Sequence, residues 1–236
     1  MKYQLLFCFL ALLIYSCGPD PAKTMKVTGT VKGLKKGTIY LQHIQDSNLV
    51  TVDSVRIQGK GDFEFEMPVE SPEIFYLYLD KNDHNDINDR ITFFGEAGKI
   101  DVQTEWNAFD TKARITGSAS QEKLEEYKKI MSGINKKNLE IMRAAYDPEI
   151  QQDSAAMDSI GKLSDKNIVR GYVYALNFAL NNTDSYVAPY IALTEVSNAN
   201  IKYLDSIYHS LTPEVAESHY GHELGKLLER RKKESQ

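Results

Sequence analysis

What this sequence lacks narrows it first. Its 236 residues hold two cysteines, one inside an N-terminal apolar run (Cys8) and one directly after it (Cys17). If the run is removed and Cys17 modified, as its surroundings predict, no free thiol remains. Disulfides, thiolate catalysis and cysteine-held metal are then excluded from the mature chain. No apolar stretch reaches the roughly 20 residues of a membrane-spanning helix. Positive charge is not in excess either: 28 Lys and Arg stand against 33 Asp and Glu, a net charge of -5. That is no footprint for nucleic acid. The nucleophile motif G-x-S-x-G is missing, as is the metalloprotease pattern H-E-x-x-H. Gly59-Lys60-Gly61 opens a strand pattern, where a nucleotide fingerprint would open a helix. No cofactor is implied.

The N-terminus carries the clearest positive signal. Lys2 supplies a charged start and Leu5 to Tyr15 an apolar run, the layout of a secretory signal. Leu13-Ile14-Tyr15-Ser16-Cys17 then sets an aliphatic residue at minus three and a small one at minus one, and resembles the lipobox cut by lipoprotein signal peptidase. Residues 1–16 are therefore expected to be a signal peptide, with Cys17 the lipid attachment site. Two or more acyl chains anchor stably where one does not. Residues 17–23 contain Pro19 and Pro21 and read as a tether. The expected location is the cell envelope, on the inner or outer membrane. Gly18-Pro19-Asp20 lacks an acidic export run, which leaves the periplasmic and surface faces both open.

From residue 24 to 117 short alternating runs are separated by Gly, Asn, Asp and Pro. Strands are expected near residues 26–31, 37–43, 49–57, 62–67, 74–79, 90–94, 99–104 and 112–116, as an antiparallel β-sandwich or barrel. In Asp62-Phe63-Glu64-Phe65-Glu66-Met67 the alternation is strict, so one face is wet. Ile74 to Leu79 carries no charge on either face, so something must cover both. After Gly117 the period changes. Leu124, Tyr127, Met131, Ile134, Ile141 and Ala145 follow helical spacing, with Asn138 in the same stripe and Asp147-Pro148 as the stop. A second helix is expected over about 154–180 and shorter ones over 185–194, 200–211 and from Thr212-Pro213-Glu214 to the basic end. The fold class is thus α+β, a β domain over 24–117 followed by an all-helical domain over 118–236.

Candidate sites are few. Asp83, Asp86 and Asp89 with three asparagines could offer oxygens to calcium, but position five of the EF-hand pattern is Ile87, position six Asn88 and position twelve Phe94. A hairpin loop rich in Asx turns explains them more simply. His219-x-x-His222 with Glu223 could hold zinc only if a further ligand came from elsewhere; a solvated helix face is the simpler reading. His43 and His209 read as packing residues. Tyr76 and Tyr78 suit either a sugar groove or a helix-covered face, and the second is favoured. No catalytic residue and no metal site is assigned.

The order of several motifs resembles a known family. Val27-Thr28-Gly29-Thr30-Val31-Lys32-Gly33-Leu34, Gly37 to Leu41, Val52-Asp53-Ser54-Val55, Gly61 to Phe65, Pro72 to Leu77 and Phe93-Phe94-Gly95-Glu96-Ala97-Gly98 resemble the uncharacterised N-terminal domain of Bacteroidota lipoproteins of the TlpA/ResA thiol-disulfide oxidoreductase type. Ser185-Tyr186-Val187-Ala188-Pro189-Tyr190 and Tyr220-Gly221 are similar to the helical connector of those proteins. The resemblance implies lipid anchoring, an envelope location and a thioredoxin-like protein as partner. It does not bring the redox activity, because these residues contain no C-x-x-C motif. The expected function is a non-catalytic binding or interaction module. The alternatives are a surface glycan- or protein-capture lipoprotein and an envelope hydrolase.

Overall fold

The computed structural model describes residues 20–45, 47–81 and 89–234. The expectations for residues 1–16, Cys17, Asp83 and Asp86 lie outside the described residues.

Eight strands form two four-stranded sheets. They are β1 (Thr24–Lys32), β2 (Lys36–Gln45), β3 (Asn48–Gln58), β4 (Asp62–Pro68), β5 (Glu73–Asp80), β6 (Arg90–Gly95), β7 (Gly98–Glu105) and β8 (Arg114–Thr116). The orders are β4-β1-β7-β8 and β3-β2-β5-β6. Their inner faces share one core, in which Val27, Phe65 and Val102 of the first sheet join Leu41, Phe75 and Leu77 of the second. On β4 the alternation is realised: Phe63 and Phe65 are buried and Asp62, Glu64 and Glu66 exposed.

One pairing departs from the all-antiparallel expectation. β7 runs parallel to β1, with Met25 beside Gly98 and Lys32 beside Glu105. The cause is the short link Glu96-Ala97, which carries the chain from the end of β6 to the other sheet at the end where β1 begins. β1 thereby becomes an interior strand, and at Gly29 it passes so close to β7 that an added Cβ would lie 2.2 Å from the Val102 carbonyl oxygen.

Seven helices follow: α1 (Ala119–Ala145), α2 (Pro148–Gln152), α3 (Ser154–Asn181), α4 (Val187–Thr194), α5 (Ile201–Ser210), α6 (Pro213–Ala216) and α7 (His219–Glu234). Ser118 caps α1, its Oγ accepting from Gln121 N at 3.0 Å, which answers an orphan donor of the first turn. Asp147-Pro148 ends α1 as expected and also starts α2, with Asp147 as the cap and Pro148 in its first turn. Asp153 caps α3 by accepting from Ala155 N and Ala156 N. The C-terminal helix is not continuous from Thr212. It breaks between α6 and α7 because the chain folds back on itself, and only a glycine at 221 tolerates the Val215 and Ala216 carbonyl oxygens.

The helices pack on the outer face of the second sheet. Ile74 of β5 and Phe94 of β6 belong to the helical core, together with Leu124, Phe178, Ile191 and Leu224. This supplies the second cover that the uncharged stretch Ile74 to Leu79 of β5 requires. It covers β5 only in part: Tyr76 lies against the helices, while Tyr78 stacks on Tyr40 at 5.9 Å and lies under Arg90.

Candidate functional site

Three local designs join the sandwich to the helices. The edge strand β6 leaves the Phe94 N–H without a strand partner, and Gln121 Oε1 of α1 accepts it at 2.8 Å. Glu96, in the link after β6, reaches α1 with both oxygens, accepting from Ala119 N and from Ser120 Oγ, each at 2.5 Å. On α7, Tyr220 Oη accepts from Ile74 N at 3.0 Å. Its ring meets Phe94 and Tyr190 edge-on or tilted, at 5.9 and 5.2 Å. Burial drives the Tyr220 hydroxyl far above the ordinary tyrosine range, so it stays protonated.

Beside this junction a cleft of about 560 Å³ opens between the rim of the sandwich and the start of α7. It brings together residues distant in sequence: His43 from β2, Ser71 and Glu73 before and on β5, and Glu217, His219 and His222 around the start of α7. The β2 strand turns His43 inward, where its ring stacks on Phe75 at 5.7 Å. His43 Nδ1 is buried without a hydrogen-bond partner, and Glu73 Oε1, at 3.9 Å, is too far to provide one. Burial, followed by the negative charge of Glu70, lifts the Glu73 carboxyl to about 7. It therefore carries a proton about half the time near neutrality.

The cleft brings the His219-His222 pair and His43 to one place, a convergence that neither motif revealed in sequence. It does not form a metal centre: among the described residues no three His, Cys, Asp or Glu groups are placed to hold an ion. Glu223 turns instead to Lys226, 2.8 Å away. Nor is there a nucleophilic relay, since Ser71 Oγ accepts from the backbone N–H of His219 rather than bonding an imidazole.

The remaining candidates are structural. Asp89 is buried, with its carboxylate 2.7 Å from Lys81 Nζ. His209 is solvated on α5 rather than packed, and its Nδ1 lies 2.9 Å from the Asp205 carbonyl. The basic end of α7 docks the helices to one another: Arg231 donates to the Ser197 and Ala199 carbonyls, and Lys232 to Asp205.

The surface feature that sequence reading missed is on the helical hairpin. α1 and α3 are 27 and 28 residues long, about 40 Å each, and α4 covers only the base of one hairpin face. A groove of about 180 Å³ opens where α4 ends, lined by Asn135 and Ile168 and closed by Glu195. Ile168 and, beyond the groove, Leu139, Met142, Tyr146 and Met157 are between 37% and 74% exposed. The helical period was legible, but an apolar position at that period reads as core, and which positions stay uncovered depends on the reach of a later helix.

Residues 25–124, the sandwich with the first turn and more of α1, match the family described as Domain of unknown function (DUF4369). No curated protein and no solved structure matches the chain.

Proposed function

We propose that this chain is a cell-envelope lipoprotein, held to the membrane by lipid on Cys17, whose folded body is a non-catalytic binding or interaction module. The observation that carries the interaction role is the uncovered apolar strip on α1 and α3, because exposed apolar surface of this extent marks an interaction site more often than accident. The absence of a serine–histidine relay or a metal cluster among the described residues leaves the cleft without a recognised chemistry. A hydrolase therefore has less support. So has a glycan-capture surface built on Tyr76 and Tyr78, since one ring lies against the helices and the other between Tyr40 and Arg90. A thioredoxin-like envelope protein is the heterologous partner that the family resemblance implies.

The test has two arms. Palmitate labelling in cells should mark the wild-type chain and spare Cys17→Ala; equal labelling removes the anchor. A photo-crosslinker in place of Leu139 should capture a defined protein in native membranes. Capture no stronger than from an exposed polar position, such as Asn177, removes the interaction role.

A further inference from the structure

The cleft at the junction of sandwich and helices receives acids from both sides and no base. Glu70 and Glu73 line it from the sandwich and Glu217 from the turn before α7, and none of the residues that line it is a Lys or an Arg. Elsewhere the chain pairs its acids readily, Glu64 with Lys26, Glu105 with Lys112 and Asp205 with Lys232. These three have no such cation.

Depth sets Glu73 apart. Glu70 and Glu217 are exposed at the rim, whereas only 21% of the Glu73 side chain is open, and no hydrogen-bond donor meets its carboxyl. His43 Nδ1, 3.9 Å from Glu73 Oε1, is buried and equally without a partner. Buried polar groups are nearly always paired, so two unpaired neighbours in a cleft between structural units mark a place that a ligand completes. The missing group is a donor that carries positive charge. A water would supply the donor but not the charge. A metal ion is poorly served, because the side chains do not converge as ligands. An ammonium offers three donors on a compact head and needs no fixed coordination geometry, and Ile44 and Met67 give the cleft apolar surface for a hydrocarbon stem.

We propose that this cleft binds a primary alkylammonium, with its head on the Glu73 carboxylate under the attraction of Glu70 and Glu217 and its stem along Ile44 and Met67. A free amine and the side chain of a lysine both carry this head. The cleft shares no lining residue with the groove on the hairpin, so this reading and the interaction role of the apolar strip stand or fall separately.

Glu73 must give up its proton to receive the head. Burial and the charge of Glu70 hold that carboxyl at about 7. Affinity should therefore fall about tenfold between pH 8 and pH 6. The groups that bear on Glu73 are Glu70 beside it in the chain, His43 on β2 and Tyr220 on α7, while its ladder neighbour on β6 is Gly95, which has no side chain. His219 and His222 line the same cleft. Protonated imidazoles would repel the ammonium and act in the same direction, so the variant at Glu73 separates its contribution from theirs.

Pentane-1,5-diamine and N-acetyl-lysine methylamide, titrated separately into the ¹⁵N-labelled full chain in mild detergent at pH 8, should move the amide signals of Glu73, Ile74 and His219 with millimolar affinity. Glu73→Gln should bind about tenfold more weakly or worse and lose most of the pH dependence, with a melt no lower than that of the wild type. Glu217→Gln, at the exposed rim, should weaken binding less, and Glu140→Gln on the hairpin should leave it unchanged. Tighter binding of the diamine assigns the site to a free amine, and tighter binding of the lysine analogue to a side chain of another protein. No response to either amine, equal binding of the uncharged pentan-1-ol, or wild-type affinity in Glu73→Gln overturns the proposal.

Discussion

One side-chain nitrogen of Asn167, on α3, donates to two acceptors on α1: the Ile134 carbonyl at 2.9 Å and Asn138 Oδ1 at 2.6 Å. Asn167 is buried, so this is a polar lock inside an otherwise apolar seam. It accounts for Asn138, a polar residue in the helical stripe. Sliding α3 along α1 would strand the amide, and the pair therefore fixes register, as a buried asparagine does in a coiled coil.

Asn167→Ala should destabilise the chain by about 1–3 kcal/mol, because Asn138 Oδ1 is left without its donor. Asn138→Ala should cost less, and the double variant less than the two together. Urea denaturation of the three variants measures this. Strictly additive losses would show that the two side chains are not coupled.

Glu73 predicts an acid-side stability gain. Its folded value, about 7, lies above the ordinary 4.5, so folding takes up a proton between those limits. Stability contributed by this group is present at low pH and is lost as pH rises from about 4.5 to 7. After allowance for its partial exposure, the loss is about 1–2 kcal/mol. Glu73→Gln should flatten that stretch of the stability profile and be the more stable protein at pH 7.5. A Gln variant with the wild-type slope would show that Glu73 does not titrate there.

Gly29→Ala should cost about 3 kcal/mol or more, since the new methyl group would meet both the Val102 carbonyl and the Phe63 ring. Thermal melts against wild type test it. A variant within 0.5 kcal/mol or so, the range of a neutral surface change, would show that β1 and β7 can separate at no great cost.

The sheets were legible because each inner face obeys a period of two, from Phe63 and Phe65 on β4 to Ile100 and Val102 on β7. The parallel β1–β7 ladder was not, because its direction is set by Glu96-Ala97 crossing between sheets, which leaves no mark in the alternation. The α1 and α3 stripes were visible for a similar reason, whereas α2 was missed because Pro148 signals a stop as readily as a start. At the site, His219 and His222 could be paired by spacing alone. Their meeting with His43 could not, for it requires the second sheet, the α6–α7 break and the Tyr220–Ile74 bond to be in place together.

The interior position of β1 also sets an order of events. Thr24 to Lys32 is the first of the described strands to leave a ribosome, yet it has no neighbour until β4 arrives and none on its other side until β7 does. Contacts so far apart in sequence close slowly. In a chain built this way β1 has both edges open until β4 and β7 follow, and it is sealed into its sheet only once nearly all of the sandwich has emerged.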